Sequence, residues 1–452
     1  MTATMTSVMR FAALDRWDAG FGDSLLGRDW RWPMAVLKDV ADIRLGTQLQ
    51  SKISDGIKLP YLRAANVQRG FLDLTDVKSM FVTKEQGERL QLIEGDLLFV
   101  EGNSLEEVGR VAAWQGGDTT IIQNAIIRVR LSTNQLDPDF VMLWFNTSGG
   151  NEYIRRQATT TSGSLWHIGA GKLANAPIPI PPIDIQREIV SAHRDLLESA
   201  DKAKRRSADL ISAAWDGFGS QLIHEPETLA AAGIVTVTRF SALDRWDTDV
   251  IPIATTSPYP IVPLHAIADV RLGVQLQRSN TGGQDVQYLR VANVQRGYFN
   301  LTDVKTMNVS PDTVARLALK RHDLLFLEAN SLEEVGRCAR WDGQIPTCIH
   351  QNHVIRARLD TADILPEFVE AWFNSPPGGS HVRNRARTTS GTLYTIPVSV
   401  LANAPVPVPP VADQARLIRE LHEGIAKARS VLLDAGRLRE EAESYVVSAL
   451  TS

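Results

Sequence analysis

Short apolar runs and one long-period apolar stripe alternate along this chain, and they predict two kinds of element. DLLFVEG from Asp96 and AIIRVRL from Ala125, with DLLFLEA from Asp323 and HVIRARL from His353, are strand-like runs bounded by Gly, Asn and Asp. A helix is predicted over Pro138 to Tyr153, where Phe140, Leu143, Trp144 and Asn146 lead into a Gly-Gly stop. From Ile183 to about Gly217 the pattern changes: Ile189, Ala192, Leu196, Ala200, Ala203, Leu210 and Ala214 recur mostly three and four apart, the period of a helix with one narrow seam. Leu417, Gly424, Ala428, Val431, Ala435, Leu438, Ala442 and Tyr445 keep the same register near the end of the chain. A helix of about 35 residues is roughly 50 Å long and needs a partner of similar length. The other such helix is the candidate, because small residues at many seam positions let two backbones approach closely; Glu420, aligned with Ala192, is an exception.

The two helices belong to a duplication. RFAALDRWD from Arg10 recurs as RFSALDRWD from Arg239, ADIRLGTQLQ from Ala41 as ADVRLGVQLQ from Ala268, and NSLEEVGR occurs unchanged from Asn103 and Asn330. YLRAANVQRGFLDLTDVK from Tyr61 matches YLRVANVQRGYFNLTDVK from Tyr288 at 14 of 18 positions. LANAPIPIPPIDIQ from Leu173 answers LANAPVPVPPVADQ from Leu401, so the repeat runs nearly end to end at an offset of about 228 residues. Each copy reads as a mixed α/β globule, then a proline-dense connector expected to be a stiff extended strut, then the helix. The expected divisions are 1-182, a first globule; 183-223, a helix; 224-238, a linker; 239-410, a second globule; and 411-452, a second helix.

Composition narrows the class. With 44% hydrophobic and 22% charged residues, the chain has the proportions of a globular protein, not a disordered or collagen-like one. Lys and Arg number 48 against 52 Asp and Glu, so a nucleic-acid surface would have to be local. Cys338 and Cys348 match no zinc spacing and cannot staple a chain of this size, which with the lack of a leader-like or membrane-spanning run points to the cytoplasm.

Catalytic motifs are missing from the repeated design. NSPPGG at Asn374 is not the [N/D]-P-P-[Y/F] loop of an amino-methyltransferase, and no GxxxxGK[ST] string occurs. A two-carboxylate nuclease would need Glu-x-Lys after Asp96 or Asp323, but Glu101 and Glu328 are followed by Asn103 and Asn330 in the lysine position. His350 and His353 have metal-ligand spacing, yet the first copy has Ile122 and Ala125 there. Glu106, Glu107, Glu333 and Glu334 lack a paired histidine or nucleophile in the string and read as a solvated turn.

What recurs is planar hydrogen-bonding side chains, the kind that read base edges. They are Gln48, Gln50, Arg63, Asn66, Gln68, Arg69, Asn103, Ser104, Gln123 and Asn124, answered by Gln275, Gln277, Arg290, Asn293, Gln295, Arg296, Asn330, Ser331, Gln351 and Asn352. A second set precedes each proline segment: Arg155, Arg156, Thr160 and Ser162, then Arg383, Arg385, Arg387, Thr389 and Ser390. Guanidinium and hydroxyl groups beside a glycine suit phosphate contacts.

A globule, a PxPxPP segment ending in Gln186 or Gln414, and a long helix, all twice in one chain, resemble the specificity subunit of type I restriction-modification systems. GDLL at Gly95 and the TSGS and TSGT loops are similar to that family as well, although His322 replaces the glycine in the second copy. The resemblance covers almost the whole chain. It implies a mixed α+β fold: two target recognition domains separated by a pair of long antiparallel helices, with a pseudo-twofold internal repeat. It also implies a non-catalytic DNA-binding subunit that reads a bipartite site on double-stranded DNA. Two modification (methyltransferase) subunits carrying S-adenosylmethionine and transferring methyl groups to adenine are the implied partners, with a restriction or translocase subunit as a further one. No cofactor or metal is expected on this chain. Domains in that family commonly differ, whereas these two are alike, so near-palindromic half-sites are expected. An autonomous nuclease and a protein-only coiled-coil adaptor are the competing classes.

If the helices act as the spacer that the resemblance implies, deleting one heptad from each shortens them by roughly 10 Å, close to three base pairs. The shortened protein should lose its native site and prefer a smaller gap in methylome sequencing. A folded variant with the native spacing would show that the helices are not the ruler.

Overall fold

The computed structural model describes residues 30–48, 56–160, 163–224, 256–275 and 283–451; the repeated RFAALDRWD and RFSALDRWD strings and nearly all of the 224-238 linker lie outside them. The chain forms two compact units, Met1–Lys204 with Leu433–Ser452, and Arg205–Leu432. Each unit therefore holds one globule, the first part of one long helix and the last part of the other.

In the first unit, strands Ala41–Leu45, Ile126–Leu131, Leu97–Val100 and Val111–Ala113 form an antiparallel four-stranded sheet in that order. Leu97–Val100 is buried throughout, because the sheet has a core on each face. Leu97, Phe99, Ile127 and Val129 join Phe140, Trp144 and Phe145 on one side. Leu98, Val100, Ile126 and Trp114 join Leu62 and Ile122 on the other. A second sheet pairs Ile57–Leu62 antiparallel with Lys78–Val82 and parallel with Ile121–Ile122. A third runs Thr159–Thr160, Trp166–His167, Gly102–Asn103.

The second unit repeats this plan. Its sheets are Ala268–Leu272, Val354–Leu359, Leu324–Leu327, Cys338–Arg340; then Lys305–Val309, Gln284–Leu289, Cys348–His350; then Ala329–Asn330, Leu393–Thr395, Arg387–Ser390.

Two local expectations need correction. The single helix over Pro138 to Tyr153 is two helices, Pro138–Asn146 and Ser148–Gln157. Thr147 breaks the run with extended backbone, and its Oγ1 donates to the Leu143 carbonyl. Gly149 and Gly150 are not a stop: a Cβ on Gly149 would fall 2.1 Å from the Trp144 ring, so the second helix starts against that ring. The proline segment is also not a free strut. Pro177–Pro179 pairs with Met34–Val36, and Pro405–Pro407 with Ile261–Pro263, each as an antiparallel two-stranded ribbon. Such a ribbon tolerates proline because each strand has an open edge to which the missing N–H can face.

The long helices span Ile183–Ser220 and Val411–Leu450. In the second unit they run antiparallel: Ser207 Oγ donates to the Ala428 carbonyl at 2.7 Å, and Gln221 lies against Glu420 and Arg416. A Cβ on Gly424 would sit 2.7 Å from the Ala214 Cβ, so glycine permits the close backbone approach there. In the first unit Asp201 pairs with Arg439, and Ile189 shares a core with Val446 and Leu450. Ser207, fully buried in the seam, is the seam position that an apolar pattern does not reveal.

Gln186, fully buried three residues into its helix, joins that helix to the globule. Its Oε1 accepts from the Asp137 N–H at 2.9 Å, and its Nε2 donates to the Gln135 and Pro181 carbonyls at 2.7 and 2.8 Å. Gln414 repeats all three bonds with Leu365, Asp363 and Pro409. Gln186→Ala removes the partner of three backbone groups, one buried and two partly buried, and should cost about 2 to 4 kcal/mol in denaturant unfolding. Arg205→Ala on the exposed helix face should change stability by less than about 0.5 kcal/mol.

Candidate nucleic-acid interface

Backbone hydrogen bonds bring the distant polar segments of each unit together. In the first unit, Thr47 N–H donates to Ile122 O at 3.1 Å, Asn124 N–H to Thr47 O at 2.9 Å, and Gln123 N–H to Leu62 O at 3.0 Å. Close approach requires Gly46, where a Cβ would lie 2.3 Å from the Gln123 carbonyl oxygen. Glu101 extends the strip: its N–H donates to Ala125 O, and its carbonyl accepts from Ile168 N–H. Gln48, Gln123 and Asn124 are thereby continuous with Asn103, Ser104, His167 and the Thr159–Thr160 strand. The second unit makes the same connections through Gly273, Val274, Asn352, Glu328 and Ile396. They join Gln275, Gln351 and Asn352 to Asn330, Ser331 and the strand Arg387–Ser390, which carries Thr389 and Ser390. Gln50, Ser162 and Gln277 lie outside the described residues.

The candidate side chains divide by what they already hold. Asn66 is buried: its Oδ1 accepts from Arg63 N–H, and its Nδ2 donates to the Asp73 and Asp76 carbonyls. Asn293 does the same with Arg290, Asn300 and Asp303. These amides build a turn and present no open edge to a base. Arg63 pairs with Asp76 at 2.7 Å and Arg290 with Asp303 at 2.8 Å. Gln68 and Gln295 donate to Ala65 and Ala292 within the turn. Arg69 and Arg155 converge on the Glu106 carbonyl, and Arg296 meets that of Glu333. Asn103 and Asn330 accept from Ser104 and Ser331 N–H. Arg156 pairs with Glu152, Arg383 reaches Pro376 O, and Arg385 lies beside His381. Gln48, Gln275, Thr160 and Arg387 are exposed, and Gln123, Asn124, Gln351 and Asn352 are half-buried on the strip.

Several important polar residues lie below this surface. Arg128 is buried, donating to Asp42 at 2.8 Å and to Arg89 O. Arg130 clasps both oxygens of fully buried Asp96, each at 2.7 Å. Arg356 with Asp269, and Arg358 with Asp323, repeat the arrangement. The signal was the Arg-x-Arg alternation inside an apolar run in both copies, which puts two guanidiniums on one strand face. The aspartates weighed as nuclease acids thus neutralise arginines in the fold. Among the described residues no group of three or more His, Cys, Asp or Glu is placed to hold a metal. The Nδ1 of His350 faces Val354 O, while that of His353 faces Glu328. Cys338 and Cys348 are buried free thiols; burial pushes Cys348 up to about 12 and Cys338 well above the usual thiol range.

His350 occupies the core slot that Ile122 fills in the first unit. It is fully buried, its Nε2 has no protein partner, and desolvation pushes its pKa from 6.5 down to about 4. Between those values the unfolded chain binds a proton that the folded one refuses. Stability of the second unit should therefore fall as pH drops from 6.5 through 4, by about 3 kcal/mol in all. His350→Ile should remove this contribution to acid sensitivity and add about 1 to 2 kcal/mol at neutral pH, readable by hydrogen exchange of the strand Leu324–Leu327.

Comparison with known proteins finds consistent likenesses. Residues 30–208 match the model of the type I restriction modification DNA specificity domain. The chain is similar along most of its length to type I restriction enzyme specificity subunits. It is 26% identical over 392 residues to the type I restriction enzyme EcoKI specificity subunit of Escherichia coli (strain K12), spanning 82% of this chain and 76% of that one. It is 22% identical over 378 residues to the StySPI specificity subunit of Salmonella potsdam, with the same two shares, 82% and 76%. The HsdS subunit from Thermoanaerobacter tengcongensis has this fold, with a TM-score of 0.51 at 14% identity over 93% of this chain and 96% of that one. A chain from the structure described as "Structural basis underlying complex assembly and conformational transition of the type I R-M system" gives 0.62 at 14% identity, covering 93% and 98%.

Proposed function

We propose that this chain is the DNA-reading, non-catalytic subunit of a type I restriction-modification complex in the cytoplasm, selecting a bipartite site with inverted, closely similar half-sites. One observation carries the reading: the same strip of glutamine, asparagine and hydroxyl side chains is built twice, by the same backbone hydrogen bonds, in two units of one chain. Equivalent readers on equivalent frameworks recognise equivalent bases, as symmetric binding proteins recognise palindromes. The formal charge of -4 fits a reader whose partners supply much of the phosphate contact. Two modification subunits, one per repeat, bring S-adenosylmethionine and the chemistry of methyl transfer to adenine.

The purified chain should neither methylate nor cut DNA, and addition of the modification subunits should yield adenine methylation at a bipartite site. Methyl transfer or magnesium-dependent cleavage by the chain alone would overturn the assignment. In the complex, Gln123→Ala or Asn124→Ala should relax one position of one half-site at a cost of about 1 to 3 kcal/mol. Arg387→Ala should instead weaken all sequences alike and lower the salt dependence.

A further inference from the structure

The two strips share a framework but differ at a few adjoining positions, and the differences compensate one another. In the first unit Gly102 pairs with His167, and the imidazole occupies the space where a Cβ on Gly102 would be, 2.7 Å from the ring. In the second unit the corresponding pair is Ala329 with Thr395, a methyl beside a small side chain. The histidine of the second strip comes instead from the Gln351-Asn352 turn, where His353 stands in the place of Ala125. Its Nδ1 lies 2.8 Å from a carboxylate oxygen of Glu328, the counterpart of Glu101. Each unit thus carries one imidazole on this strip, from a strand in the first and from a turn in the second, and at a different depth.

We propose that His353, positioned by Glu328, makes the second unit read one base pair differently from the first, so that the site is a palindrome broken at a single position. This rests on the reading of the strip as the DNA-contacting face. A carboxylate oxygen cannot donate, so Nδ1 carries the proton toward Glu328. With Nδ1–H turned toward Glu328, Nε2 is the ring nitrogen that meets a base edge, and as an acceptor it selects an exocyclic amine, adenine N6 or cytosine N4. In the first unit the carboxylate of Glu101 has no ring from Ala125 beside it, and His167 sits back in the notch over Gly102. The position aligned with His353 is therefore read there by other groups.

Site selection by the chain reconstituted with its modification subunits tests this. The wild type should yield inverted half-sites that agree everywhere except at one position. The triple variant A329G/H353A/T395H, which gives the second strip the first strip's residues, should restore symmetry, shifting base preference there by about tenfold or more. Because that variant could disturb a strand pair, Ala125→His at the half-buried turn of the first unit provides the reciprocal test. It should move the first half-site toward the second. A perfectly symmetric wild-type site would overturn the inference, as would unchanged preferences in both variants. Two unrelated half-sites would overturn the equivalence of the two strips, and absence of any sequence selection would overturn the DNA-reading function itself.

Discussion

A glutamine amide, buried at the start of each long helix, fixes how that helix leaves its globule. Gln186 and Gln414 each connect three backbone groups: the entry to a core helix, the loop before it, and the last prolines of the ribbon. A planar amide with one acceptor and two donor hydrogens is suited to that task, and a carboxylate would leave two carbonyls without donors. Ile189 or Leu417, three residues further on, is buried in the same domain core. Helix and globule therefore form one packed body, and any tilt of the helix would break all three bonds together.

The duplication makes the second unit an internal control for the first. Asp96 with Arg130 and Asp323 with Arg358 are identical bidentate pairs, and burial of the aspartates explains why each needs its arginine. Where the copies diverge, the second pays for polarity. His322 takes the left-handed conformation that Gly95 adopts, φ 74° against 86°. Its ring lies 3.1 Å from Arg340, which also meets Asp342, Glu367 and Glu370. The strained histidine is the edge of a charged cluster absent from the first unit, where Gly95, Ala113 and Met142 stand in place of His322, Arg340 and Glu370.

Much of this fold could be read from the sequence because the chain is written twice. The two long helices and most of their seam follow from apolar spacing, and the strands from short apolar runs bounded by Gly, Asn and Asp. Ser207 escaped because a serine whose hydroxyl satisfies a neighbouring backbone carbonyl is indistinguishable in sequence from a solvated one. Thr147 escaped for a similar reason: its break in the helix depends on the Trp144 ring beneath Gly149, a tertiary contact. Among the candidate readers, repetition marked Asn66 and Gln123 alike. Only the fold distinguishes an amide held by Asp73 and Asp76 from one on the strip, because both are polar residues following strands.

Residues Leu433–Ser452 belong to the first unit. Val446 and Leu450 lie in one apolar cluster with Leu37, Phe140 and Trp144, and the Leu450 carbonyl accepts from Arg31 N–H at 3.1 Å. The N-terminal globule consequently emerges from the ribosome with part of its core unbuilt, and it waits through the synthesis of the whole second unit for the helix end that closes it. Damage to the last turns of the helix Val411–Leu450 is then felt in a core whose other members lie about 250 residues or more earlier in the sequence.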